Sequence, residues 1–130
     1  MNEDNLVKII EDLSKSKEQR IQAAFQLENA VKDDSIIRLG KALLTEPSPI
    51  VRHEFAFSLG ETSHPKIAIS YLMNAVENDD NIFVRHEALL ALATLGDKSV
   101  AQFIEKFLDS NEPEIKESAE IALQRLYETK

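Results

Sequence analysis

The sequence contains no cysteine, which excludes disulfide bonds and thiolate metal ligands. Glycine and proline are scarce, at 3 and 4 of 130 residues, and aromatic residues make up only 6%. Few breakers and few aromatics favour helices over strands. No run approaches the ~20 apolar residues that span a bilayer, so we expect no membrane association. Since residues 1–5 are acidic and polar, unlike a secretory signal, we expect a cytoplasmic protein.

Positive charge is also in short supply. The 15 lysines and arginines are outnumbered by 23 aspartates and glutamates, which gives a formal net charge of −8. We therefore do not expect the protein to bind nucleic acid, because neutralising phosphates requires a basic surface. A protein partner or a protein substrate remains compatible with this charge.

The spacing of apolar residues and helix caps predicts an all-α fold of four helical hairpins, about eight helices, in one domain over residues 1–130. Ser48-Pro49 and Asn81 are typical helix starts, and Gly96 is typical of a helix end. Asp33-Asp34-Ser35 is predicted to cap the third helix. The predicted helices are about Glu3–Leu13, Lys17–Val31, Ser35–Leu44, Ser48–Gly60, Ser63–Val76, Asn81–Leu95, Lys98–Leu108 and Asn111–Tyr127.

One four-residue sequence, Val-Arg-His-Glu, occurs twice, at 51–54 and 84–87. The two copies are 86 − 53 = 33 residues apart, the period of a stacked helical repeat. The second helices of the four hairpins align without gaps at 20–27, 52–59, 85–92 and 116–123. The middle two copies carry His-Glu, whereas the outer two have Ile21-Gln22 and Glu117-Ser118. Packing alone does not require this difference between inner and outer repeats.

Two histidines and two glutamates therefore form a candidate metal site. Helices stacked ~8–10 Å apart bring matched side chains within reach of one metal. His53, His86 and one glutamate would be the minimum facial triad within one subunit, and imidazole with carboxylate is the ligand set of non-haem iron. The alternative is a solvated polar surface that duplication has copied. The predicted ligands are His53, Glu54, His86 and Glu87, and the predicted catalytic residues are Glu54 and Glu87.

The residues around the two His-Glu pairs, His53-Glu54 and His86-Glu87, have simpler expected roles. Arg52 and Arg85 are expected to form ion pairs between hairpins. At least one of Phe55 and Phe57 is expected in the core, while the other could line a dry pocket over a metal. His64, which precedes a proline and does not repeat, is interpreted as a turn or cap residue.

The stretches from Pro49 to Gly60 and from Val84 to Asp97 resemble the short HEAT repeats of the phycobilin-lyase-like group. Arg-His-Glu followed by alanine and leucine, repeated after 33 residues, is similar to deoxyhypusine hydroxylase, with nearly the whole chain resembling one half of that enzyme. The resemblance implies a HEAT-repeat solenoid and a non-haem di-iron centre that hydroxylates a modified lysine on a translation factor. That family builds its site from two halves with two His-Glu motifs each, so this chain would need a homodimer with two iron ions shared between its subunits.

Three other functions stay open at this point. The first is a metal-free HEAT-repeat scaffold for protein–protein interaction, which the acidic surface of a short solenoid suits. The second is a relative of the chromophore lyases, which the repeat type allows. The third is a metal-binding protein that stores or senses iron or oxygen without acting on an organic substrate. Repeat architecture alone does not choose between them.

Overall fold

A computed structural model of the chain describes residues 2–128, and every regular element in that range is helical. Met1, Thr129 and Lys130, which the predicted single domain includes, lie outside the described residues. The predicted all-α, HEAT-like solenoid of four hairpins is confirmed. The α-helices of residues 2–128 are α1 (Glu3–Glu11), α2 (Lys17–Leu27), α3 (Asp33–Thr45), α4 (Pro49–Gly60), α5 (Pro65–Asn78), α6 (Ile82–Leu95), α7 (Ala101–Glu105) and α8 (Pro113–Glu128).

The second helices of the hairpins form one layer of the solenoid. Helix α4 packs between α2 and α6, and α6 packs between α4 and α8. The first helices α1, α3 and α5 stack in the same way on the other side of a shared core. Each hairpin buries its apolar face against its neighbours, which is how repeat proteins become stable. The His-Glu pairs therefore lie on adjacent helices of one layer.

Local signals place the ends of the central helices as predicted. The Asn81 side chain accepts hydrogen bonds from the amides of Phe83 and Val84, and so caps the free N–H groups of α6. Gly96 follows α6 with φ 77°, a left-handed conformation that glycine adopts without strain. Pro49 is the first residue of α4, where its missing N–H costs nothing.

Three local predictions were wrong. Helix α2 ends at Leu27 instead of Val31, because the Glu3 carboxylate accepts hydrogen bonds from the amides of Val31 and Lys32 and holds that segment in a turn. The residue at the N-cap of α3 is Lys32, so the two aspartates lie inside the first turn and favour it through the helix dipole. The segment 98–109 is a five-residue α-helix between two 3₁₀ turns instead of one helix.

Between neighbouring hairpins, arginines at matched positions form ion pairs with acidic residues. Arg52 Nε lies 2.9 Å from Asp79 Oδ2, and Arg85 Nη1 lies 2.7 Å from Glu112 Oε1. Both predicted ion pairs are thus confirmed. Arg20, at the matching position of the first repeat, forms a buried pair with Glu46.

Helices α4 and α6 approach each other closely at Gly60. A Cβ placed on Gly60 would lie 2.8 Å from the Cβ and 2.9 Å from the Cα of Ala91. Relieving this contact requires the two helices to move apart. We therefore expect Gly60→Ala to lower the free energy of unfolding by about 1–3 kcal/mol, as for other overpacked cores. Denaturant unfolding followed by circular dichroism measures the change.

Gly40→Ala is a second test of close packing, since Gly40 is also a buried helical glycine. The added Cβ there would lie 2.8 Å from Cε2 of Tyr71 on α5 and closer still to its Cδ2 and Cγ, so Tyr71 or its helix must shift. We expect this variant to lose stability as well. If Gly60→Ala unfolded at the same denaturant concentration as the unmodified protein, the close approach of α4 and α6 would be contradicted.

None of the helices within residues 2–128 is both long enough and apolar enough to span a membrane.

Candidate metal centre

Buried apolar residues fix the direction in which the His-Glu pairs point. On α4, Val51 and Phe55 are fully buried and flank the first pair. On α6, Val84 and Ala88 are fully buried and flank the second pair in the same way. Because flanking positions turn into the core, the residues between them turn outward and are only half-buried. The repeat thus places two His-Glu pairs on one face of the layer.

The two pairs contact each other through His53. Its Nε2 lies 3.3 Å from Oε1 of Glu87 on the neighbouring helix, and its Nδ1 lies 3.3 Å from Oε1 of Glu54 on its own helix. The His53 side chain is 27% exposed and that of Glu87 is 16% exposed. Adjacent repeats therefore meet through an imidazole and a carboxylate, not through the two histidines.

His86 makes a different contact, with the next helix along the layer. Its Nδ1 lies 2.5 Å from Oγ of Ser118 on α8. The same hydroxyl lies 2.6 Å from the carbonyl oxygen of Glu114, one turn earlier on α8. In the aligned repeats Ser118 stands where Glu54 and Glu87 stand, so each pair's histidine contacts this position of the following repeat.

Burial shifts the pKa of two side chains in the second pair, His86 and Glu87. It lowers the pKa of His86 below its ordinary value by disfavouring the charged ring, and nearby His53 lowers it further. Burial likewise raises the pKa of Glu87, and the electrostatic interaction with nearby His53 partly offsets that rise. A cation bound beside Glu87 would compensate the carboxylate charge that burial disfavours.

Two cavities open on either side of Phe83, and each is lined by one histidine. Phe83 is 69% exposed although it is a large apolar residue. The cavity on the α4 side measures about 380 Å³ and the one on the α8 side about 290 Å³. The first is lined by Pro49, Ile50, His53, Asn81 and Phe83, and the second by Ile82, Phe83, His86, Glu114, Glu117, Ser118 and Ile121.

Non-haem iron is typically bound by imidazole and carboxylate ligands without sulfur. The side chains of the two His-Glu pairs therefore have the donor types that fit iron. Their number within one chain falls short: among residues 2–128 no three His, Asp or Glu side chains are grouped to hold one ion. The facial triad expected within one subunit is thus not formed there, because Glu87 contacts His53 while His86 contacts Ser118.

Sequence reasoning missed Ser118 and Phe83. Ser118 had an available signal, since it occupies the glutamate position of the fourth repeat. Phe83 had none, because an exposed aromatic in the first turn of a helix does not stand out in the periodicity. Phe55 is buried as expected, whereas Phe57 is exposed and packs edge-on against Phe25, with ring centroids 6.2 Å apart.

Comparison with known proteins supports the repeat assignment. The family model for HEAT repeats matches residues 36–124, more than half of the chain. Deoxyhypusine hydroxylase of Danio rerio is 35% identical over 108 residues, covering 82% of this chain and 35% of the relative. Deoxyhypusine hydroxylase of Neurospora crassa is 43% identical over 91 residues, covering 68% of this chain and 28% of the relative.

The solved structure of human deoxyhypusine hydroxylase in complex with glycerol is also similar. It superposes with a TM-score of 0.87 at 27% identity, over 98% of this chain and 44% of that one. The chain therefore spans about a third of the length of the curated relatives and less than half of the solved structure. The resemblance to one half of deoxyhypusine hydroxylase is confirmed, and the chain belongs to the family of HEAT-repeat proteins.

Proposed function

We propose that two copies of the chain form a homodimer whose facing His-Glu pairs bind two iron ions. The observation that carries this proposal is the contact between His53 and Glu87 across α4 and α6, which brings one imidazole and one carboxylate of adjacent repeats within 3.3 Å. A two-fold axis would set the same surface of a second copy opposite it. Four donors from each copy would then supply the ligands that one chain lacks.

A second copy would supply donors beyond those of one copy, since no three His, Asp or Glu side chains among residues 2–128 are grouped to hold one ion. An oligomer that restores the internal symmetry of a longer relative uses one surface twice, which is the commonest form of homodimer. The exposed Phe83 and Ile50 beside the histidines would be covered in that assembly.

The proposed activity is hydroxylation, an oxidoreductase reaction of the kind for which the relatives are named, and we place it in the cytoplasm. Iron, when bound, would supply the activation of oxygen that such a reaction needs. His53 and His86 would hold the metal through ring nitrogens. Glu54 and Glu87 would act as carboxylate ligands and as the groups that orient the substrate, and the cavities beside Phe83 would admit a side chain from a protein substrate.

The test of this activity is a hydroxylation assay. The full chain is loaded anaerobically with ferrous iron, given oxygen and a reductant, and incubated with a protein that carries a deoxyhypusine residue. We expect mass spectrometry to show a gain of one oxygen atom on that residue. The same protein with His53→Ala is the control and should give no product. No gain from the iron-loaded protein would contradict the hydroxylase proposal for this substrate.

A second candidate is a metal-free scaffold that binds a protein partner. The observation that favours it is the set of exposed apolar side chains on the layer of second helices, since exposed aromatic residues are frequent in interfaces. It predicts a monomer without iron whose partner covers the same face. The exposed apolar side chains on which this candidate rests are Ile50, Phe57, Phe83 and Ile121. Stoichiometric iron in freshly purified protein would contradict the scaffold.

A further inference from the structure

Ser118 is a buried polar residue whose hydrogen bonds are fully determined by its neighbours. The residue is 1% exposed, so water does not compete for its hydroxyl. Its Oγ lies 2.6 Å from the carbonyl oxygen of Glu114 and 2.5 Å from Nδ1 of His86. The oxygen–oxygen distance is that of an O–H···O hydrogen bond, and the nitrogen–oxygen distance is shorter than that of most N–H···O bonds, so both groups are in direct contact with the hydroxyl. One hydroxyl therefore serves two groups, and it has only one hydrogen to donate.

Counting hydrogens assigns the direction of each bond. The carbonyl oxygen of Glu114 carries no hydrogen, so the Ser118 hydroxyl must donate to it, as serines in helices commonly do toward the residue four positions earlier. The hydroxyl oxygen is then left as an acceptor for His86. Nδ1 of His86 must carry a hydrogen to fill that role. In the neutral ring the lone pair therefore sits on Nε2.

His53 has no comparable constraint. Both of its ring nitrogens lie 3.3 Å from carboxylate oxygens, Nδ1 from Glu54 and Nε2 from Glu87. Neither contact decides which nitrogen loses its hydrogen when a metal binds. Of the two histidines, only His86 has a partner that specifies its tautomer. A free imidazole side chain favours the hydrogen on Nε2, so the Ser118 contact opposes the intrinsic preference.

We propose that Ser118 is a positioning residue that holds His86 as the Nδ1–H tautomer, with Nε2 free to bind a metal ion. Ligating histidines generally donate their other ring N–H to an oxygen that fixes the ring, and Ser118 Oγ provides that oxygen. The inference rests on the proposed function for the nature of the ligand. The tautomer itself belongs to the metal-free chain and is measured separately.

The first test is nitrogen-15 NMR of the histidine rings in the metal-free full-length protein, with His86→Gln used to assign the signals. We expect His86 to show the Nδ1–H tautomer in the unmodified protein and in Ser118→Thr, which keeps the hydroxyl. Ser118→Ala should shift His86 toward the Nε2–H form. Ser58→Ala, another buried serine replaced in α4, should leave it unchanged. An Nε2–H tautomer in the unmodified protein would overturn the proposal without any variant.

The second test is the affinity for ferrous iron under anaerobic conditions. Ser118→Ala should weaken binding about 10- to 100-fold, the usual effect of removing a partner of a ligating histidine, and Ser118→Thr should restore it. Unchanged affinity in Ser118→Ala would overturn the positioning role. If the unmodified protein binds no iron while His86 is the Nδ1–H tautomer, the proposed function fails and the hydrogen bond of Ser118 is upheld.

Discussion

Replacing His53 or His86 by alanine should abolish iron binding while the helical fold is retained. Each histidine is half-buried on the outer face of its helix, and the core residues beside it are untouched. In the proposed centre each imidazole would be a metal ligand, and among residues 2–128 no group of three His, Asp or Glu side chains could take its place. We expect a change in unfolding free energy of at most about 1 kcal/mol, typical of substitutions outside the core. Iron per chain after anaerobic loading measures the first effect, and thermal unfolding measures the second.

His64→Gln is the matched control for this prediction. His64 is the third histidine of the chain and lies away from the pairs, with Nδ1 2.9 Å from Asp33 Oδ1 and Nε2 2.7 Å from the carbonyl oxygen of Ala30. Its replacement should leave the iron content unchanged. Iron retained in both His53→Ala and His86→Ala would contradict the metal centre, whatever the control shows.

Arg20→Met should destabilise the protein far more than the loss of an exposed ion pair. Nε and Nη2 of Arg20 lie 3.0 and 3.1 Å from the two carboxylate oxygens of Glu46, and the side chains are 6% and 1% exposed. Removing the guanidinium leaves a buried carboxylate without its counter-charge, which costs about 3–5 kcal/mol. The amide of Ser48 also donates to Glu46 and would not compensate the charge. Denaturant unfolding at neutral pH measures the loss.

Arg38→Met tests whether burial is the reason. Arg38 also forms a two-point contact with a glutamate, Glu11, but both side chains are exposed. Exposed ion pairs contribute only about 0–1 kcal/mol, so this variant should be nearly as stable as the unmodified protein. Equal losses in Arg20→Met and Arg38→Met would show that burial of the Arg20 pair does not matter.

How far the sequence predicts the structure depends on whether the determining contacts are local. Helices α4 and α6 end where predicted because Pro49, Asn81 and Gly96 act on their own termini. The end of α2 was missed because the determining group, the Glu3 carboxylate, comes from 28 residues away. The 3₁₀ turns around α7 were missed because apolar spacing does not separate one kind of helix from the other.

The candidate site shows the same division. The repeat of 33 residues places the His-Glu pairs on neighbouring helices as expected, but the contact between them joins His53 to Glu87 and not the two histidines. The repeat alignment points to Ser118 as the position facing His86, but the hydrogen bond itself depends on the rotamer that Ser118 adopts against Glu114. In the proposed homodimer the remaining donors come from a second molecule, and a single sequence carries no local signal for that pairing.

The most direct test of the proposed metal centre is the number of iron ions per chain, measured across the dimer peak of a sizing column. The protein is untagged and loaded anaerobically with ferrous iron. A shared centre predicts about one iron per chain, found only in the dimer. A monomer without iron after loading would contradict it and would leave the His-Glu pairs as polar residues on the surface of an interaction scaffold.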